Sequence, residues 1–302
     1  MLAVDLGSIR LKNPLLTASG TFGGSDEMAA FFDLSRLGGI VLKTVTFHPR
    51  RGNRPPRVAE TPLGMLNSIG LPNGGLDYFI EKQLPVLRQI DTFRVVNVAG
   101  DTVDQFIEGV RRLDEAGGMD AFELNISCPN VEGGRLPFGS VPDVTERLVK
   151  GVREVTERTV IVKLSPNVTD ITEIARAATA GGADVLSLIN TLLGMGIDVR
   201  TRRPKLGSNF GGLSGPAIKP VALKMVWEVA RAVDVPVIGI GGIRDVDDVI
   251  EFLLAGASAV QVGTANYLEP TIIPRILDAL PARLEELGAQ SVKELIGAVR
   301  PY

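Results

Sequence analysis

Residues 237–264 read VIGIGGIRDVDDVIEFLLAGASAVQVGT. Two continuous apolar runs, Val237 to Gly241 and Ala259 to Gly263, each end in glycine. Runs that are continuous rather than alternating mark strands buried on both faces, as in a parallel sheet. Between them Asp245 opens an amphipathic segment. Ala255-Gly256-Ala257 closes it, with glycine suited to a left-handed helix C-cap. The stretch is one strand–helix–strand unit.

The same unit recurs outward from this point. Pro14 to Ser19, Gly39 to Lys43, Phe93 to Asn97, Ala121 to Asn125, Val160 to Lys163 and Val185 to Asn190 are further strand-like runs. Asp101 is expected to cap a helix with Val103, Phe106, Ile107, Val110 and Leu113 at helical spacing, and Thr169 to open another. Leu37-Gly38-Gly39, Ala116-Gly117-Gly118 and Ala180-Gly181-Gly182 repeat the glycine stop before a strand. Eight such units close a parallel (β/α)8 TIM barrel, an α/β fold. No linker divides residues 1–302, so a single domain is expected. Three connections exceed ordinary loop length: Thr44 to Gly75, Ile126 to Ser140 and Thr191 to Gly215. All follow strand C-termini, the catalytic face of such a barrel.

Composition narrows the function classes. The 302 residues are 45% hydrophobic but only 5% aromatic, with 34 glycines, which describes an aliphatic interior with many tight turns. A net charge of −3 supplies no global basic field for nucleic acid. No apolar run reaches the roughly 18 to 20 residues that span a bilayer, and Met1 leads into Asp5 and Arg10 rather than a signal peptide, so a cytoplasmic protein without membrane contact is expected. A single cysteine and a single histidine leave no internal disulfide, no cysteine-held cluster and no expected metal site.

The candidate chemistry gathers at strand ends. Gly239-Ile240-Gly241-Gly242 and Val262-Gly263-Thr264 end the last two strands, where barrel enzymes commonly bind phosphate through backbone N–H groups. Ser214-Gly215-Pro216 adds a helix start whose free amides attract an anion. Each glycine alone could serve only a turn; together they favour phosphate. Lys43 and Lys163 each follow an apolar run, where an ammonium needs either a ligand anion or a structural carboxylate. Beside them Asn97, Asn125 and Asn190 offer paired donors and acceptors that match a ring with alternating C=O and N–H groups, as in flavins and pyrimidines. A lone cysteine is commonly a small buried hydrophobe, but Cys128 lies in Asn125-Ile126-Ser127-Cys128-Pro129-Asn130, past a strand end and outside the apolar run, where it could remove a proton provided its thiolate is accessible. His48 reads as a surface or structural residue, and Arg200, Arg202, Arg203 and Lys205 as a solvated or partner-facing loop.

With these residues in place, the sequence resembles the class 1 dihydroorotate dehydrogenases. The resemblance runs from Ala18-Ser19-Gly20-Thr21 to Val262-Gly263-Thr264, and its most specific pieces are Asn67-Ser68-Ile69-Gly70-Leu71, Asn125 to Asn130, and Ile189-Asn190-Thr191-Leu192-Leu193-Gly194-Met195. It implies that FMN contacts Ser19, Lys43, Thr44, Asn97, Asn125, Lys163, Ile189, Gly215, Gly241, Gly242, Gly263 and Thr264, the glycines and Thr264 holding its phosphate. It implies that dihydroorotate lies against the flavin, held by Lys43, Asn67, Ser68, Ile69, Gly70, Leu71, Asn125, Asn190 and Thr191. Cys128 would take the C5 proton while the C6 hydride goes to N5 of FMN, Lys163 would stabilise charge developing on the flavin, and the Cys128 loop would close over the substrate. Leu71-Pro72-Asn73-Gly74-Gly75 departs from the family, which often has glutamine and proline there.

The resemblance also carries subclass marks. Cysteine at 128, where the membrane-associated class 2 enzymes use serine, points to class 1. Within it, Thr191 and Ile240 stand where the fumarate-reducing A type usually has serine and cysteine. The chain looks like the B type, a homodimer joined by an FAD and iron–sulfur subunit that uses NAD, acting in pyrimidine biosynthesis. The rival readings are the A type and another FMN barrel acting on pyrimidines. More distant are a cofactor-free sugar-phosphate isomerase or lyase and a non-catalytic barrel.

Overall fold

The computed structural model describes residues 1–23, 27–127 and 138–302. Eight parallel strands close on themselves: β1 Leu15–Thr17, β2 Gly39–Val41, β3 Phe93–Ala99, β4 Ala121–Asn125, β5 Thr159–Lys163, β6 Val185–Leu188, β7 Val237–Ile240 and β8 Ala259–Val262. Each pairs with its chain neighbour, and β8 returns to β1. Helices α1 Val103–Ala116, α2 Pro142–Arg153, α3 Ile171–Ala180, α4 Lys219–Ala232, α5 Val246–Ala255 and α6 Ile272–Glu286 follow strands β3 to β8 on the outside. Their apolar stripes and the strands' outward aliphatic residues form the main core, which includes Val96, Val110, Leu124, Val162, Val226 and Phe252. Each such side chain contributes roughly 1.5–3 kcal/mol on burial.

The expected strands are all present, and several helix details differ. Thr102, not Asp101, caps α1: its hydroxyl accepts from Gln105 N at 3.1 Å, while Asp101 pairs with Arg50. Asp170, not Thr169, caps α3 by accepting from Thr172 N at 2.8 Å. In both cases the expected cap is one position too early, a boundary that apolar spacing does not resolve. Asp245 forms a capping box with Asp248, and Gly256 takes the left-handed conformation, as expected. Gly38 does not: a Cβ there would lie 2.2 Å from Asn13 O, so glycine serves close approach of two segments.

The connections Thr44 to Gly75 and Thr191 to Gly215 build further sheet structure, and most of Ile126 to Ser140 lies outside the described residues. Val58–Thr61, Gly64–Asn67, Leu192–Gly194 and Gly211–Ser214 form a four-stranded antiparallel sheet over the barrel mouth. These strands are short, glycine-rich and half exposed, so no apolar run announces them. A second hairpin, Ile197–Asp198 with Arg203–Pro204, carries Arg200, Arg202, Arg203 and Lys205 into solvent. The N-terminal segment forms a third, Val4–Leu6 with Ile9–Leu11. No helix among the described residues is long and apolar enough to cross a membrane.

Candidate active site

The strand C-termini and the antiparallel cap enclose the predicted residues. Parallel pairing sets Lys163 of β5 between Asn125 of β4 and Ser187 of β6 in register, and Asn97 of β3 beside Glu123 of β4. At the end of β4 and just past β6, Asn190 Nδ2 donates to Asn125 Oδ1 at 3.1 Å, and Asn190 Oδ1 accepts from Thr191 N at 2.9 Å. The two asparagines thus orient one another. Across the cap, Asn67 Nδ2 donates to Gly212 O at 3.3 Å, and Thr191 packs so closely on Gly212 that a Cβ there would meet its Oγ1 at 2.0 Å. Asn67, Thr191, Asn190 and Asn125 are therefore linked in one polar row.

The two lysines differ in their surroundings. Lys163 is buried, 3.9 Å from the fully buried Glu123, so the structural-carboxylate alternative holds for it in part. Lys43, half buried past β2, has no ion-pair partner among the described residues. An ammonium in a barrel mouth without a counter-ion is poised for an anionic or carbonyl ligand. Near it, Ser19 and Thr44 hydroxyls approach to 3.4 Å.

The glycine segments converge on the opposite side. Gly242 has φ +75°, and a Cβ there would sit 2.8 Å from Lys219 Cβ and 3.0 Å from Gly215 O. Gly241, also at positive φ, is held against Ala222 of α4. Among the described residues the N–H groups of Gly241 and Gly242 have no protein acceptor. Thr264 Oγ1 donates to Ser214 Oγ at 2.8 Å, joining the segment past β8 to the cap strand Gly211–Ser214, and Ile189 N donates to Ile240 O at 3.0 Å. Asp248 supports this cradle: one carboxylate oxygen accepts from Arg244 N at 2.7 Å and the other from Lys219 Nζ at 2.5 Å. Burial opposes the Lys219 charge, but hydrogen bonds to Asp248 and Glu251 outweigh it and raise its pKa above the ordinary lysine value.

The residues fit a ligand with a phosphate at one end and a flat hydrogen-bonding ring at the other. The bare glycine amides suit the first, and a cation, an asparagine pair and the buried, unpartnered Asn97 Oδ1 suit the second. Asn97 itself is fully buried. The loop residues Ser68, Ile69, Gly70 and Leu71 follow Asn67. Leu71 is held at φ +52° and Gly70 at +76°. Cys128 lies outside the described residues.

Several supporting residues escaped the sequence reading. Asn73 accepts from Gly75 N and donates to Thr46 Oγ1 and Leu71 O, each at 2.8 Å, tying the 67–75 loop to Val45–Thr46, a short strand beyond β2 that pairs with β3. Asn167 donates to Thr191 O at 3.0 Å and accepts from Leu193 N at 2.8 Å. Glu123, Ser187 and Gln261 point into the barrel; their signal was a polar residue within an otherwise apolar strand run, which rarely occurs without purpose.

The profile of the dihydroorotate dehydrogenase family matches residues 1–284. The chain is 52% identical over 298 residues to a Bacteroides thetaiotaomicron protein, covering 99% of this chain and 98% of that one. A Geobacillus sp. (strain WCH70) protein is 53% identical over 296 residues, covering 98% and 95%. One from Parabacteroides distasonis is 53% identical over 298 residues, covering 99% and 98%. All three are named as the catalytic subunit of dihydroorotate dehydrogenase B (NAD(+)). A closed barrel with this mouth, matched along nearly its whole length, belongs to the dihydroorotate dehydrogenase family.

Proposed function

We propose that this chain is the FMN-bearing catalytic subunit of an NAD-linked dihydroorotate dehydrogenase, oxidising dihydroorotate to orotate in pyrimidine biosynthesis. The observation that carries it is the meeting, at one barrel mouth, of bare glycine amides with Lys43, Lys163 and the Asn125–Asn190 pair. FMN, when bound, supplies the two-electron acceptor for the substrate hydride. Gly215, Gly241, Gly242, Gly263 and Thr264 hold its phosphate, and Ser19, Thr44, Asn97 and Ile189 frame its ring. Lys163 offers a fixed positive charge where negative charge develops. Asn67, Ser68, Ile69, Gly70, Leu71, Asn190 and Thr191 bind and orient the substrate, with Lys43 and Asn125 facing both molecules. Cys128 removes the C5 proton. The relatives' name, catalytic subunit, supports a partner. That partner is an FAD and iron–sulfur subunit that joins a homodimer of this chain and passes electrons to NAD. The 302 residues act as one barrel domain in the cytoplasm.

The test is the visible spectrum of the purified chain before and after anaerobic addition of dihydroorotate. Bleaching of the flavin band, reversed by an artificial acceptor, is the expected result. A yellow protein that does not bleach removes the substrate assignment, and a colourless one that cannot be reconstituted with FMN removes the reading altogether. Copurification with a flavin and iron–sulfur protein tests the partner.

A further inference from the structure

Glu123 has no exposed surface, although it lies in the middle of strand β4. A carboxylate there is tolerated only when its oxygens are engaged. Groups from three other strands engage them: Asn97 Nδ2 donates to Oε1 at 2.6 Å, and Ser187 Oγ at 2.9 Å and Gln261 Nε2 at 2.7 Å donate to Oε2. Oε1 also lies 3.9 Å from Lys163 Nζ, the one ion pair of that ammonium among the described residues. The proposed mechanism uses Asn97 and Lys163 and leaves Glu123 without a part.

Two features separate this cluster from ordinary core polarity. An ionised carboxylate only accepts, so it turns the NH₂ of Asn97 toward itself and leaves Asn97 Oδ1 pointing elsewhere. That oxygen is buried and has no protein partner. In addition, the carboxylate already has three donors, so it holds Lys163 at ion-pair distance without taking an ammonium N–H. The lysine keeps its donors for a ligand.

We propose that Glu123 is a positioning residue for the oxidoreductase reaction. It fixes the amide polarity of Asn97, tethers the Lys163 ammonium, and offsets part of that positive charge so that a flavin held there would accept electrons less avidly. The inference rests on the flavin reading above.

Sulfite tests it without turnover, because this anion bleaches a bound flavin more tightly as the local field becomes more positive. Glu123→Gln keeps the shape and removes the charge. In the FMN-loaded chain it should tighten sulfite binding by about tenfold or more, since a unit charge close to Lys163 is lost. Glu123→Asp, which retains the charge, should stay within about threefold of wild type even where the melting temperature falls. A Glu123→Gln protein with wild-type sulfite affinity, or an Asp variant shifted as far as the Gln variant, overturns the proposal. If Glu123→Gln does not hold FMN, Gln261→Leu decides. It removes one of the carboxylate's three donors, leaving it capacity to accept an ammonium N–H from Lys163, and should weaken sulfite binding; unchanged affinity again overturns the proposal. A wild-type chain that takes up no FMN refutes the flavin reading itself, and this inference with it.

Discussion

Replacing Gly242 with alanine separates the phosphate end of the proposed site from its ring end. The backbone at 242 has φ +75°, a conformation that costs an L-residue about 1–2 kcal/mol. The new methyl would also lie 2.8 Å from Lys219 Cβ and 3.0 Å from Gly215 O. Ordinary contact needs roughly 3.5–4.0 Å, so the loop must withdraw by about 1 Å. The Gly215 carbonyl is backbone at the start of α4 and gives little, so most of the movement falls on the loop. Overpacking of this kind costs a further ~1–3 kcal/mol. An N–H displaced by that much from a phosphate oxygen passes beyond hydrogen-bond reach. One charge-assisted bond contributes about 1.5–3 kcal/mol, which corresponds to roughly ten- to 150-fold in affinity. The assay is flavin-fluorescence titration of the apo chain with FMN and with riboflavin, which has the same ring and no phosphate. FMN affinity should fall within that range while riboflavin affinity stays near wild type. Equal losses for the two ligands, or an unchanged FMN affinity, would refute the assignment of Gly242 to the phosphate.

Three further outcomes are expected. Cys128→Ala should retain FMN and orotate binding while losing about 10²–10⁴-fold in turnover near neutral pH, measured with an artificial acceptor; unchanged turnover removes it as the base. Asn73→Ala releases the hydrogen bonds that tie the substrate loop to the Val45–Thr46 strand, and should raise KM for dihydroorotate about tenfold with kcat little changed. A fall in kcat with constant KM would place Asn73 in the chemistry instead. Thr102→Ala removes the cap of α1 and should lower stability by about 1 kcal/mol, read by chemical denaturation; no loss would show that the cap is not maintained in solution.

Lys163 and Lys43 illustrate how far the site could be read from sequence. Both were legible as candidates, because an ammonium after an apolar run is conspicuous in a linear reading. That Lys163 is paired with a carboxylate, while Lys43 has none among the described residues, depended on β4 lying beside β5. Strand adjacency is a property of the closed sheet. Asn97, Asn125 and Asn190 stood out for the same reason as the lysines, yet the bond between Asn125 and Asn190 joins residues 65 apart in the chain. Asn73 and Asn167 were not visible because loop asparagines are common and only their contacts distinguish them.

The sequence by itself determined the eight-stranded barrel, since continuous apolar runs, amphipathic segments and glycine stops are local and repeat. It also brought the glycines, lysines and asparagines to the ends of those runs. Tertiary structure decided the rest. The cap sheet pairs strands from loops more than a hundred residues apart, with Asn67 opposite Gly212. The carboxylate of Glu123 meets donors from β3, β6 and β8 only because the sheet closes into a cylinder. Local propensity selects each element, but a barrel's interior is shared by strands distant in sequence, and their contacts exist only once it has closed.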